Sequence, residues 1–296
     1  MNLVIGATGM LGSDICARMA RKEMSVRALV RTTVNPDKLA HLKELGCEIY
    51  EGDLRDRASL KNALHGVSSV ISTASSMPFS YQPGENDIQT VDLNGFKDLV
   101  EAAALAHVDH FIYTSLSGGM DLDYPLRNAK REIENQLKES GLVYTILRPS
   151  YFMEAWLSPV VGFDFPNAKA QIFGTGERPI SWISYEDVAK FAVACLNNPA
   201  ARNKTYELGG PETLTSLQAV KIFEQVGGRV FDLQFVSEAD LLAQQQAASD
   251  PMQQSFSGLM RCVAQGDPID MQATLAEIPI ELTSVNQYAN RQLVVT

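Results

Sequence analysis

A triplet of evenly spaced glycines near the start of the chain most constrains its fold. The apolar run Leu3-Val4-Ile5 leads into Gly6-Ala7-Thr8-Gly9-Met10-Leu11-Gly12, followed by Ser13 to Lys22 and Val26 to Arg31. A short apolar run ending at a glycine suits a buried parallel strand, and Leu11, Ile15, Ala17, Met19 and Ala20 supply an apolar helix face behind it. The segment predicts strand, tight turn, helix and strand, a complete βαβ unit. A strand that turns directly into a helix aims backbone N–H groups and the positive helix end at one point, which admits a pyrophosphate if no Cβ intrudes. Gly6 and Gly9 are expected to give that clearance, and Gly12 to let helix and strand approach closely. Residues 6–12 are therefore the candidate phosphate cradle.

The end of the second strand selects between dinucleotides. An acidic residue there suits a free ribose 2′-hydroxyl, whereas an arginine suits a 2′-phosphate; this chain has Arg31. A guanidinium bonds phosphate with charge assistance at about 1.5–3 kcal/mol per bond, so one such residue gives roughly a tenfold to hundredfold preference. The position favours NADP(H), with NAD(H) second. Asn35 and Pro36 open a predicted helix reaching Leu45. Its Lys38 either assists at the phosphate or is a solvated helix lysine.

Further along, a strand is expected over Cys47 to Glu51, and Asp53 is placed to cap a helix beginning near Arg55. A fourth strand should cover Val67 to Thr73. The small residues Thr73, Ala74 and Ser75 suit a backbone passing close to a cofactor. Ser75 to Glu85, with Pro78, Pro83 and Gly84, is expected to loop across the site. One long amphipathic helix from about Asp87 to Ala106 precedes a fifth strand over Val108 to Thr114. A helix from Asn128 to Ser140 and a sixth strand over Leu142 to Leu147 follow. Ligands of open α/β sheets bind beyond the carboxyl ends of the strands. That rule brings Ser115, Ser117, Gly118 and Gly119 to the site, with Pro149, Tyr151 and Phe152 at its nicotinamide end.

These landmarks include Glu51-Gly52-Asp53-Leu54, Ile71-Ser72-Thr73-Ala74, Phe111-Ile112-Tyr113-Thr114-Ser115, Lys130, Thr145-Ile146-Leu147-Arg148-Pro149 and Tyr206-Glu207-Leu208-Gly209-Gly210. In wording and order they resemble the atypical short-chain dehydrogenase/reductase family, in particular its NmrA-like branch with its isoflavone-reductase-like and triphenylmethane-reductase-like relatives. The resemblance implies an α/β fold: a Rossmann-type doubly wound parallel sheet with helices on both faces, and a smaller C-terminal α+β substrate lobe. The first is expected over 1–155, with about 179–210 packing back on it, and the second over 156–296. Asp53, with Leu54 beside it, is then expected near the adenine.

Typical short-chain dehydrogenases use a serine, a tyrosine and a lysine four positions after the tyrosine. The tyrosine transfers the proton, while the lysine holds the ribose and lowers the phenol pKa. Lys130 matches the lysine, but Leu126 stands where the tyrosine would be. The bland alternative for Lys130 is a surface lysine in the cluster Lys130-Arg131-Glu132. NmrA-like and isoflavone-reductase-like proteins share the departure at the tyrosine. Two functions are compatible with the resemblance. One is an NADP(H)-dependent reductase passing hydride to a small, apolar or aromatic carbonyl, quinone or conjugated acceptor, with Lys130, Ser115 and Tyr124 as candidate catalytic residues. The other is an NADP(H)-binding sensor, regulatory or assembly protein with little or no turnover.

The formal charge of -10 comes without any basic block, so nucleic acid is not an expected partner. No apolar run is long enough to cross a bilayer, and the apolar start lacks the flanks of a signal peptide. Cys16, Cys47, Cys195 and Cys262 are scattered, and His41, His65, His107 and His110 form no metal-ligand spacing with them. The expectation is a cytoplasmic monomer or homodimer with free thiols and no metal, acting on a small molecule and not on a membrane. Tyr151, Phe152, Met153, Trp156 and Trp182 make either core or a pocket wall. Beyond them, Gln171–Gly176 and Pro179–Trp182 read as a hairpin-like pair, and Ser184 with Asp187 as a capping box. Arg229 to Val236 reads as a strand. Ala239 to Gly266 reads as helix, with Met252, Phe256, Leu259, Met260 and Val263 as a core stripe, a dimer contact or a lid.

Overall fold

The computed structural model describes residues 1–77 and 80–294, so Pro78 of the expected loop lies outside the described residues. Its strands, in chain order, are β1 Asn2–Ile5, β2 Val26–Val30, β3 Glu48–Glu51, β4 Ser69–Ser72, β5 His110–Thr114, β6 Tyr144–Pro149, β7 Phe163–Asp164, β8 Lys169–Phe173, β9 Pro179–Ile180, β10 Lys204–Leu208, β11 Leu214–Thr215 and β12 Asp232–Val236. Seven of them form one sheet in the order β10-β6-β5-β4-β1-β2-β3. The pairs among β1 to β6 are parallel, with Leu3 opposite both Arg27 and Val70. The order reverses between β1 and β4, the switch point at which doubly wound sheets leave a crevice beyond their strand ends. β1, β4 and β5 are buried along nearly their whole length, which is why consecutive apolar residues fill their centres instead of alternating with polar ones.

The chain divides into two compact units. The first comprises Met1–Ser115, Asn128–Leu147 and Val188–Tyr206. Its core gathers Leu3, Ile5, Leu60, Val70, Phe96, Leu99, Phe111, Ile133 and Leu137. The second comprises Leu116–Arg127, Arg148–Asp187 and the chain from Glu207 onward. There Phe163 packs edge-on against Phe223 at 4.9 Å, joined by Phe165, Phe231 and Tyr288.

Several local expectations change. The helix expected from Asp87 to Ala106 is a π-helix over Ile88–Gly95 that runs into an α-helix over Phe96–Leu105. Asp87 anchors its start through a reciprocal capping box with Thr90. The Asp53 cap is shifted: the helix is Arg57–Ala63 and Asp56 caps it, while the Asp53 carboxylate turns back onto Arg55. The expected hairpin does not form, because β8 pairs with β12 and β7, and β9 pairs with β11. The segment Ala239 to Gly266 is broken into helices Glu238–Ala247 and Pro251–Gln265, since Asp250 caps and Pro251 opens the second one. Its buried face is made of the small residues Ser255, Ser257, Gly258, Cys262 and Ala264 with Val263. Met252, Phe256, Leu259 and Met260 are only half-buried. Of the two residues expected to form a capping box, Ser184 accepts from Glu186 N–H through its hydroxyl, and the Asp187 carboxylate accepts from Thr283 N–H.

Candidate functional site

The glycine turn is built as its spacing requires. Gly6 has φ +83°, the left-handed region, and a Cβ there would sit 2.8 Å from both Ala74 N and Thr73 Oγ1. The turn therefore passes directly over the end of β4, and Thr73 N–H donates to the Ile5 carbonyl at 3.0 Å. A Cβ on Gly12 would lie 2.1 Å from the Gly6 carbonyl oxygen, so the helix can dock only with glycine at this position. Gly9 is the N-cap of helix Met10–Arg21, with no side-chain cap and no acidic residue in the first turn. The opening N–H groups of that helix have no intrahelical acceptor, which together with the helix dipole makes an anion site.

On the adenosine side, Arg31 at the end of β2 is exposed, and its Nη1 donates to Asn86 Oδ1 at 2.9 Å. Arg55 grips Asp53 with Nε to Oδ1 at 2.9 Å and Nη2 to Oδ2 at 2.6 Å. Partial burial raises the Asp53 pKa, but the Arg55 bonds and the charges of Arg55 and Arg31 outweigh it and hold the carboxyl below its ordinary value. Lys38 is exposed on helix Pro36–Glu44, and Leu54 is buried. Ser75 is half-buried, and its neighbour Ser76 donates from both N and Oγ to Asp92 Oδ2, at 3.0 and 2.6 Å.

Lys130 is 4% exposed. Its Nζ donates to the Thr114 carbonyl at the end of β5 at 3.2 Å, 5.0 Å from the Tyr113 ring centre and 5.4 Å from that of Phe96. Burial pushes the lysine pKa down, opposed by the carboxylates of Asp92 and Glu134. Ser115 is buried, and its hydroxyl donates to Glu134 Oε1 at 2.5 Å. All of these belong to the first unit.

The other candidates lie in the second unit. Tyr124 is buried, with its hydroxyl donating to the Met120 carbonyl at 3.1 Å and its ring under Gly258. Leu126 is buried as well, and its N–H donates to Ser255 Oγ at 3.0 Å. Pro149 and Tyr151 are buried and Phe152 is half-buried. Tyr151 packs against Trp156 and Trp182 with ring centres 5.1 and 6.1 Å apart, and burial pushes its phenol pKa well up.

The model of the NmrA-like family matches residues 2–289. The chain belongs to the NmrA-like family, and its fold and motifs agree with an atypical short-chain dehydrogenase/reductase. It is 33% identical over 233 residues to the photosystem II assembly factor Ycf39 of Trieres chinensis, covering 77% of this chain and 69% of that protein. It is 28% identical over 231 residues to an NAD(P)H azoreductase of Xenophilus azovorans, covering 77% and 74%. Among solved structures it is similar to an NADPH-dependent quinone oxidoreductase of Escherichia coli complexed with NADPH, at TM-score 0.79 and 25% identity over 99% of both chains.

Sequence reasoning missed Asn86, Arg55 and Asp92 as members of this constellation. Asp92 alone left a signal, a lone charge on the apolar face that carries Ile88, Val91, Gly95, Phe96 and Leu99. Asn86 sits in an irregular segment with no periodicity to expose it.

Proposed function

We propose that the protein is an NADP(H)-dependent reductase of a small, apolar or aromatic carbonyl, quinone or conjugated acceptor. The observation that carries this reading is Lys130, which is a buried ammonium at the carboxyl end of β5 and not a surface lysine. In the same unit, the turn at Gly6, Ala7, Thr8 and Gly9 with the helix start at Met10, Leu11 and Gly12 would hold the pyrophosphate. Arg31 would take the 2′-phosphate with Lys38 near in sequence, Asp53 and Leu54 would lie by the adenine, and Thr73, Ala74 and Ser75 would border the cofactor. When bound, NADPH supplies the hydride. An ammonium has three donors, one of which the Thr114 carbonyl takes; the others can orient a ribose hydroxyl or meet the negative charge that grows on an acceptor oxygen. The hydroxyls of Ser115 and Tyr124 are both already donating to protein acceptors, so Lys130 is the strongest candidate for that stabilisation. Pro149, Tyr151 and Phe152 are read as the nicotinamide-side segment. A cytoplasmic monomer or homodimer is part of the same reading.

A second reading, a dinucleotide-binding assembly or sensor protein, has support in Leu126 and in the 33% identity to an assembly factor. The two separate in one experiment: fluorescence titration with NADPH and NADH, followed by loss of nicotinamide absorbance on adding quinones, azo dyes and aldehydes. Oxidation by any acceptor supports the reductase. Tight binding without oxidation across the panel supports the second reading, and absence of binding removes both.

A further inference from the structure

We propose that Asn86 sets the Arg31 guanidinium for 2′-phosphate recognition, which makes segment 80–87 a cofactor-specificity element. The proposal rests on the NADP(H) reading above. Asn86 is 4% exposed, and its carboxamide is used at both ends. Oδ1 accepts from Arg31 Nη1 at 2.9 Å, while Nδ2 donates to the Ser80 carbonyl at 2.5 Å and to Ser80 Oγ at 3.1 Å. The backbones of Gln82 and Asn86 exchange two hydrogen bonds of 2.8 Å, and Gly84 N–H donates to Asp87 Oδ2 at 2.8 Å. The segment is thus closed on itself, with the Asn86 amide oxygen presented to the end of β2.

The chemistry of the partner matters. A guanidinium carries five N–H donors in a planar fork. A neutral amide oxygen that takes one of them fixes the plane of the fork while leaving its charge intact. A carboxylate in the same place would fix it equally well and cancel the charge. The neighbouring arginine shows that second arrangement: Arg55 donates Nη1 to the Glu85 carbonyl at 2.7 Å, but its Nε and Nη2 are paired with the Asp53 carboxylate. Of the two arginines tied to residues 85 and 86, Arg31 is the one held by a neutral group, as an anion-binding residue needs. Asn86 touches no cofactor in this scheme and acts through Arg31, so it is a positioning residue.

The test is titration of the full chain with NADPH and with NADH, in wild type, Asn86→Leu and Asn86→Asp. Asn86→Leu should raise the NADPH Kd about tenfold and leave the NADH Kd within twofold. Asn86→Asp should raise the NADPH Kd further, because its carboxylate neutralises Arg31 and repels the phosphate. An unchanged NADPH Kd in both variants, or NADH weakened as much as NADPH, overturns the proposal. In an Arg31→Ala background, Asn86→Leu should add nothing further to the NADPH loss, and an independent loss there also overturns it. Failure of the underlying reading looks different: Arg31→Ala would then leave the ratio of NADPH to NADH affinity unchanged. If Asn86→Leu does not fold, Asn86→Ala takes its place with the same expected and overturning outcomes, because it too removes the acceptor of the Arg31 bond without adding charge.

Discussion

At the scale of single residues, Gly12 and Lys130 are the two positions most constrained by their surroundings. Gly12 tolerates no side chain, since even a methyl would overlap the Gly6 carbonyl. Gly12→Ala should therefore cost at least the ~1–3 kcal/mol typical of overpacking and weaken NADPH at least tenfold, checked by thermal melting and titration. Lys130 is expected to act protonated, so acceptor reduction should fall as pH rises through its pKa. Burial puts that pKa below the ordinary lysine value of 10.5, and Asp92 opposes the shift. Removing the Asp92 charge must lower it further. In Asp92→Asn, the basic limb of kcat/KM against pH should move to lower pH, and a limb at unchanged pH would detach Asp92 from Lys130. The burial of Lys130 was legible in principle. Leu126, Ala129, Ile133 and Leu137 are buried at helical spacing around it, and a lysine on that stripe is not on the solvated face. The adjacent Arg131 and Glu132 mask the pattern.

At the scale of elements, the strands and helices built from local patterns emerged from sequence, β12 among them, and the pairings fixed by distant partners did not. β1, β2 and the glycine turn are specified by residues within one βαβ unit. β8, in contrast, pairs with β12, placing Lys169 opposite Asp232, and no short-range signal announces a partner so far along the chain. The small-residue face of helix Pro251–Gln265 was likewise invisible, because its logic lies in Tyr124. A Cβ on Gly258 would come within 2.6 Å of the Tyr124 ring. Gly258→Ala should destabilise by ~1–3 kcal/mol, and Tyr124→Leu should relieve part of that cost, measured as non-additivity in denaturant melts.

β5 carries a pH-sensitive element of its own. His110, at its first residue, bonds Thr145 Oγ1 at 2.8 Å, and burial, aided by the Arg202 charge, pushes its pKa down to about 4. Between that value and the ordinary 6.5 the unfolded chain binds more protons than the folded one. Stability must therefore rise with pH through this window and be independent of His110 above it. Compared with wild type, His110→Asn should lose less melting temperature between pH 7 and pH 4.5.

At the scale of the whole molecule, the order of landmarks along most of the chain made the doubly wound sheet legible. The acceptor of the proposed reductase is not written in comparable form, because an apolar wall uses the same residues as a core. The chain passes between the two units at 115–116, 127–128, 147–148, 187–188 and 206–207. Neither unit is a continuous stretch, so a single calorimetric transition is expected. A ligand that binds only the folded chain stabilises it by about 2.7 kcal/mol at a free concentration of 100 Kd. For a chain of this size that corresponds to roughly 5–10 °C in Tm. At the same concentration, NADH bound tenfold to a hundredfold more weakly would give only about 0.4–1.4 kcal/mol, hence a shift of a few degrees at most. The difference between the two shifts measures the 2′-phosphate contribution independently of turnover. Because Arg31 is exposed, that difference should narrow as ionic strength rises toward 1 M, where the screening length falls to about 3 Å. Equal shifts for the two dinucleotides at low salt would mean that Arg31 does not choose between them.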